Sequence, residues 1–156
     1  MRVLFICTGN TCRSALAAAI AQRIVAERGL EDVQAESAGT AAWQGAPASD
    51  GALLVAMERN LDLAHHTARL LTRELVESCD LILTMGPHHL ERVEALGGQG
   101  KAFLLTTYGS RGAEQRPIGD PFGGELDLYR ETCDELEREI RRAVDRIAAE
   151  STPGRS

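Results

Sequence analysis

The chain has 156 residues with 17 basic and 23 acidic side chains, a formal charge of −6 with histidine neutral. That length fits one domain, read over 1–150, and leaves no room for a second of ordinary size. The acidic balance argues against a general nucleic-acid binder, and no run approaches the roughly 20 apolar residues that span a bilayer. With no secretory leader of the usual length, a cytoplasmic protein is expected. Cys7, Cys12, Cys79 and Cys133 are then not read as a disulfide framework, and their spacing matches no paired zinc motif.

In chain order, Arg2–Cys7 predicts a short buried strand, rich in β-branched and aromatic residues and ending at a glycine-containing loop. Ala15–Arg28 predicts a helix with Leu16, Ile20 and Ile24 on one face and Gly29 just past its end. A second strand is expected over Val33–Ser37, and a helix over Ala48–Asn60 with Leu53, Leu54 and Met57 inward. Leu81–Met85, almost wholly apolar, suits a strand covered on both faces. A short helix over His88–Leu96, a fourth strand over Ala102–Leu105 and a long Gly/Pro-rich loop over Tyr108–Gly124 follow. The last helix, Leu126–Glu150, is the clearest. Its apolar residues recur at spacings of three and four, with Asp134/Arg138 and Glu137/Arg141 as i,i+4 pairs on the wet side. The tail 151–156 is expected to fray. Strands alternating with helices predict a three-layer α/β/α fold with a four-stranded parallel sheet.

The segment Cys7-Thr8-Gly9-Asn10-Thr11-Cys12-Arg13-Ser14 joins the first strand to the first helix. In open α/β sheets, ligands bind at that carboxyl end of a strand. A loop feeding a helix N-terminus presents unpaired N–H groups and the positive end of the helix dipole. Gly9 and Asn10 both tolerate the left-handed backbone that curls such a loop into an anion nest. A thiol facing that cradle favours its thiolate, the nucleophilic form. Arg13 can grip two oxygens of a phosphoryl group with its planar fork, and Ser14 can hydrogen-bond the sulfur. Phosphoryl transfer to Cys7 also needs a proton donor for the departing group. Asp120, in Gly119-Asp-Pro-Phe-Gly-Gly124, is the candidate, and the same carboxylate can then activate water. The plainer reading of the loop is a turn with two incidental cysteines, and that of Asp120 an ordinary Asp-Pro turn.

These residues resemble the low-molecular-weight protein tyrosine phosphatase family over nearly the whole chain. The resemblance is carried by the C-x5-R-S loop at Cys7, Ser37-Ala-Gly-Thr40, His66-Thr-Ala-Arg69, Asp80-Leu-Ile-Leu-Thr-Met85 and Asp120-Pro121. Within the family the sequence is most similar to bacterial protein-arginine phosphatases. Thr11 stands where tyrosine-directed members usually carry Ile or Leu, and Asp-Pro is followed by Phe122-Gly-Gly124 rather than tyrosines. The resemblance implies Cys7 as nucleophile, Arg13 as phosphate clamp, Asp120 as acid then base, and Thr8 to Ser14 as the phosphate-binding loop. Thr11, Phe122 and, from the site rim, Trp43 are expected to select the substrate, Phe122 by stacking on a guanidinium plane. The expected substrates are phosphorylated protein side chains, phosphoarginine first and phosphotyrosine second, with no cofactor and no metal. Arsenate reduction and a non-enzymatic phosphate-binding or redox role are the other readings. One departure is Ala15, where the family usually has Pro; loop rigidity is the property it touches.

Cys12 is either a small buried residue or a redox partner that captures oxidised Cys7 as a disulfide. Trp43 either lines the site rim or is a half-buried surface aromatic. Cys79 and Cys133 are read as packing residues. His65-His66 and His88-His89 invite a metal reading, but no carboxylate spacing completes a ligand set; His66 is expected instead to support the active-site loop by hydrogen bonding. A monomer is expected.

Overall fold

A computed structural model describes residues 1–151; 152–156, most of the expected frayed tail, lie outside the described residues. The elements are β1 (Arg2–Cys7), α1 (Arg13–Glu27), β2 (Gln34–Gly39), α2 (Asp50–Glu58), α3 (Arg73–Ser78), β3 (Leu81–Thr84), α4 (Pro87–Ala95), β4 (Ala102–Leu104), α5 (Leu105–Gly109) and α6 (Leu126–Ser151). The four strands form one parallel sheet in the order β2-β1-β3-β4, the α/β architecture expected from the alternation.

Period-2 alternation sends the side chains of β1 to opposite faces. Val3, Phe5 and Cys7 join α1, α2, α5 and α6 in the larger core, while Leu4 and Ile6 join Leu71, Val76, Ile82 and Val93 in the smaller core under α3 and α4. Because β1 is paired on both edges, the chain leaves it toward β2 and returns on its other side as β3. The crevice at the carboxyl ends of β1 and β3 is therefore the switch point at which such sheets bind ligands.

Several boundaries differ from expectation. Helix α1 begins at Arg13, so Arg13 and Ser14 belong to its first turn, and Ala15 in place of Pro leaves the helix intact. Gly29, at φ 67°, ends it as expected. Helix α3 was not expected; Thr72 caps it by accepting from the Leu75 N–H at 3.2 Å, a signal hidden in a polar stretch of ordinary appearance. Helix α5 takes Leu105 from the end of the expected fourth strand and Tyr108 and Gly109 from the start of the expected long loop, folding Leu105 and Tyr108 into the core. The inward face of α2 is Ala52, Val55 and Ala56, with Leu53 half-buried; Leu54 and Met57, expected inside, are 51% and 72% exposed. The cause is close approach. A Cβ on Gly51 would stand 2.4 Å from the Tyr129 ring of α6, so only small side chains fit that face. On α6, Glu137 and Arg141 pair at 3.3 Å as expected, whereas Asp134 pairs with Arg59 of the loop after α2 rather than with Arg138.

Candidate active site

The loop after β1 and the first turn of α1 close around one point. Asn10 is the residue in the left-handed conformation, at φ 58°; Gly9, expected to share that role, is not in it. The Asn10 side chain is fully buried and spent on scaffolding. Its Nδ2 donates to Ser14 Oγ at 2.8 Å and its Oδ1 accepts from the Arg69 N–H at 3.0 Å. Its carbonyl accepts from His66 Nε2 at 2.6 Å, which fixes the proton of that ring on Nε2. Ser14 Oγ lies 2.8 Å from Cys7 Sγ. Since Asn10 occupies an acceptor site of the hydroxyl, and the alternative acceptor Ala38 O is at 3.4 Å, the Ser14 proton is directed at the sulfur. The sulfur thus faces a hydroxyl donor at the end of β1 and the N-terminus of α1.

The backbone beneath is pinned from β2. Thr40 N donates to Cys7 O at 3.0 Å and Ala41 N to Thr8 O at 2.9 Å. Gly39 is required there, because a Cβ would stand 2.4 Å from Thr8 O and 3.0 Å from Asn10 N. Arg69 extends the brace by donating to Ser37 O and Glu36. Glu36 also receives a bidentate bond from Arg2, and these two guanidinium partners, Arg2 first, hold its carboxyl down at about 2.

Arg13 is buried. Its Nη1 donates to Ile118 O at 2.9 Å, its Nη2 lies 3.6 Å from Asp120 Oδ2, and its Nε has no partner among the described residues. The guanidinium is thus anchored at one corner with donors left for an anion. Asp120 is half-exposed, with Oδ1 accepting from the Phe122 N–H at 3.0 Å, so the Asp-Pro turn sets its orientation.

A cleft of about 360 Å³ is lined by Cys7, Thr8, Gly9, Thr11, Cys12, Arg13, Asp120 and, at its mouth, Trp43 and Phe122. Sequence residues more than a hundred positions apart therefore meet there. Asn10 and Ser14, also expected in the phosphate-binding set, have side chains beneath the cleft rather than in it. Trp43 and Phe122 are 87% and 71% exposed, rim positions rather than half-buried ones. Cys12 is buried, its Sγ 3.1 Å from Ser49 Oγ and 3.6 Å from the Tyr129 hydroxyl. Cys79 and Cys133 are buried in the two cores, and burial pushes both thiols up. Among the described residues no group of three or more His, Cys, Asp or Glu is placed to hold a metal, and no helix is long and apolar enough to cross a membrane.

Three contributors escape sequence reasoning. Ser49 and Tyr129 tie Cys12 to α2 and α6. His89, buried in the first turn of α4, places Nε2 2.9 Å from Thr8 Oγ1. Burial, assisted by His88 and Arg13, pushes its pKa down to about 4, so the ring is neutral. The only signal was the His-His pair, which pointed toward metals instead.

Residues 2–152 match the family model described as low molecular weight phosphotyrosine protein phosphatase. The protein-arginine-phosphatase of Bacillus subtilis (strain 168) is 38% identical over 151 residues, covering 94% of this chain and 97% of that protein. The low molecular weight protein-tyrosine-phosphatase Wzb of Escherichia coli (strain K12) is 33% identical over 150 residues, covering 95% and 96%. Among solved structures, the YwlE arginine phosphatase from Geobacillus stearothermophilus superposes with a TM-score of 0.89 at 33% identity, over 99% of this chain and 97% of that one. A YwlE arginine phosphatase variant whose active-site serine carries a phosphoryl group superposes at 0.90 and 35% identity, over 97% and 98%. This chain belongs to the low molecular weight phosphotyrosine protein phosphatase family.

Proposed function

We propose that the protein hydrolyses phosphoarginine in proteins through a phosphocysteine. The observation that carries the chemistry is the convergence of Cys7 Sγ, the Arg13 guanidinium and the Asp120 carboxyl on one cleft. Cys7 Sγ attacks phosphorus as the N–P bond to the guanidino nitrogen breaks, and Asp120 gives that nitrogen its proton. Arg13 and the loop N–H groups hold the three equatorial oxygens, where charge accumulates. Asp120, now a carboxylate, takes a proton from water as it attacks the phosphocysteine, and inorganic phosphate leaves with the thiolate restored. Ser14 stabilises that departing sulfur.

Substrate choice rests on the rim. Thr11 is partly exposed on the cleft wall with its hydroxyl over Gly9. A hydroxyl there suits a guanidinium or a water bound to it, and is left unpaired against a phenyl ring, which costs binding. Phe122 offers a flat face to the guanidinium plane. The 38% identity to a protein-arginine-phosphatase supports the same choice. Cys12 is assigned as the resolving thiol for oxidised Cys7. The protein is assigned to the cytoplasm as a monomer acting on protein substrates, without nucleic acid.

The test compares kcat/KM on phosphoarginine and phosphotyrosine peptides of matched sequence, in EDTA, with wild type and Cys7→Ser. A Cys7-dependent preference for phosphoarginine, shifted toward phosphotyrosine by Thr11→Ile, is expected. A phosphotyrosine preference in the wild type, or an unchanged ratio in Thr11→Ile, overturns the role given to Thr11. The phosphotyrosine reading is favoured by the Wzb similarity and keeps the same chemistry.

A further inference from the structure

His89 is a buried titratable side chain that the reaction above does not use. It reaches the site from the other side of the switch point, on α4 after β3, whereas the loop it touches follows β1. Its contact is specific. Nε2 lies 2.9 Å from Thr8 Oγ1, and Thr8 is an exposed wall of the cleft next to the nucleophile. The ring stacks at a tilt on His88 with centroids 3.9 Å apart, and the residue is seated in the first turn by its backbone N–H on Gly86 O at 3.1 Å.

Which atom donates in the Thr8 contact decides what Thr8 can do. His89 Nδ1 is buried and meets no acceptor among the described residues. A proton on Nδ1 would be an orphaned N–H, the rarer and costlier defect. With the proton on Nε2, the imidazole donates to Thr8 Oγ1, and the threonine's own proton is free to turn elsewhere. The acceptors that enter this cleft are phosphoryl oxygens. We propose that His89 is a positioning residue that holds Thr8 Oγ1 from below, so that the Thr8 hydroxyl donates to the bound phosphoryl group. Thr8 thereby adds a side-chain donor to the ring of backbone N–H groups and the Arg13 fork. The ring is neutral at working pH, so it supplies this bond without adding charge beside Arg13. The inference rests on Cys7-dependent phosphatase chemistry and not on which bond is cleaved.

The test is a double-mutant cycle on Thr8→Val and His89→Leu, with His89→Gln as the conservative variant, since a glutamine amide reaches about where Nε2 stands. Inorganic phosphate affinity by calorimetry is read beside kcat/KM on p-nitrophenyl phosphate, so loss of the Thr8 contact is separable from failure of the phosphatase reading. Thr8→Val and His89→Leu should each weaken phosphate binding and kcat/KM about tenfold, as expected for loss of a hydrogen bond to a charged group. The double variant should be no worse than either single one. His89→Gln should stay within about threefold of wild type. Multiplicative losses, a Thr8→Val enzyme with wild-type values, or a folded His89→Gln as impaired as His89→Leu would overturn the proposal. If His89→Leu does not fold, Thr8→Val and His89→Gln still decide it, together with the 15N shifts of the His89 ring. Protonation at Nε2 is required; protonation at Nδ1 would spend the Thr8 proton on the ring and overturn it.

Discussion

Gly39→Ala isolates the contact that pins the phosphate loop to β2. Gly39 is not in the left-handed region, so the substitution adds a Cβ and nothing else. That carbon would stand 2.4 Å from Thr8 O and 3.0 Å from both Asn10 N and the Ala42 Cβ. An ordinary carbon–oxygen contact is about 3.3 Å, so the loop backbone must recede by about 0.9 Å. Overpacking of this kind costs about 1–3 kcal/mol, which in a chain of this size lowers Tm by about 2–12 °C. The effect on chemistry should be larger. Displacement of reacting groups by about 1 Å costs about a hundredfold, and the shifted carbonyl and N–H belong to the nest itself. Steady-state kinetics on p-nitrophenyl phosphate, read beside thermal melting, should show kcat down about a hundredfold in a protein that is still folded at 25 °C. A variant that melts several degrees lower yet keeps kcat within threefold would refute the reasoning, because the loop would then hold its shape without Gly39.

Acid should destabilise the protein in two adjoining windows. His89 is neutral in the fold with a pKa of about 4 against about 6.5 unfolded, so the unfolded chain binds more protons and stability falls as pH drops from about 6.5 to 4. Glu36 is ionised in the fold down to about 2, so its contribution is complete above about 4.5 and lost as pH falls toward 2. Urea midpoints measured from pH 7 to 3 should decline from the upper window onward. His89→Gln should flatten that upper limb and Glu36→Gln the lower one, and a wild-type profile level between pH 6.5 and 4 would contradict the burial argument. Arg13→Lys keeps the charge but cannot bond Ile118 O and face Asp120 with one planar group, so kcat should fall at least a hundredfold in a protein that melts normally; near wild-type turnover would show that charge alone suffices. Cys12→Ser retains a hydrogen-bonding atom toward Ser49 and Tyr129 and should fold. Peroxide-treated wild type should regain activity with dithiothreitol while the variant does not; equal recovery in both would remove the redox role of Cys12.

The contrast between what the sequence revealed and what it hid has a physical pattern. Cys7 to Ser14 is one contiguous turn, and its spacing alone implied a nucleophile, a fork and a hydroxyl on one nest. Asp120 was legible because Pro121 and two glycines mark a shaped loop. The central strands were legible because β1 and β3 are buried on both faces and read as unbroken apolar runs. Helix α2 misled because large apolar residues normally face inward. Here the proximity of Tyr129 to Gly51 reserves the inner face for alanine and valine and leaves Leu54 and Met57 outside. No periodicity in α2 encodes a constraint imposed by another helix.

The supports of the site were harder to see than the site for a related physical reason. Ser14 touches Cys7, and both lie within the motif. The rigidity of that pair depends on Asn10, which depends on His66 and the Arg69 backbone, and Arg69 in turn is braced by Glu36 and Arg2. Beyond the Asn10–Ser14 contact inside the motif, each link joins residues distant in sequence by one or two hydrogen bonds, and none has a spacing rule. Their collective effect is to hold a left-handed asparagine and a curled backbone in one conformation before any anion arrives. A loop that had to order itself around phosphate would subtract that ordering from its binding free energy. In the proposed reaction, the buried Asn10 side chain, spent wholly on protein partners, would serve phosphate recognition as much as Arg13, although it lies beneath the cleft and not in it.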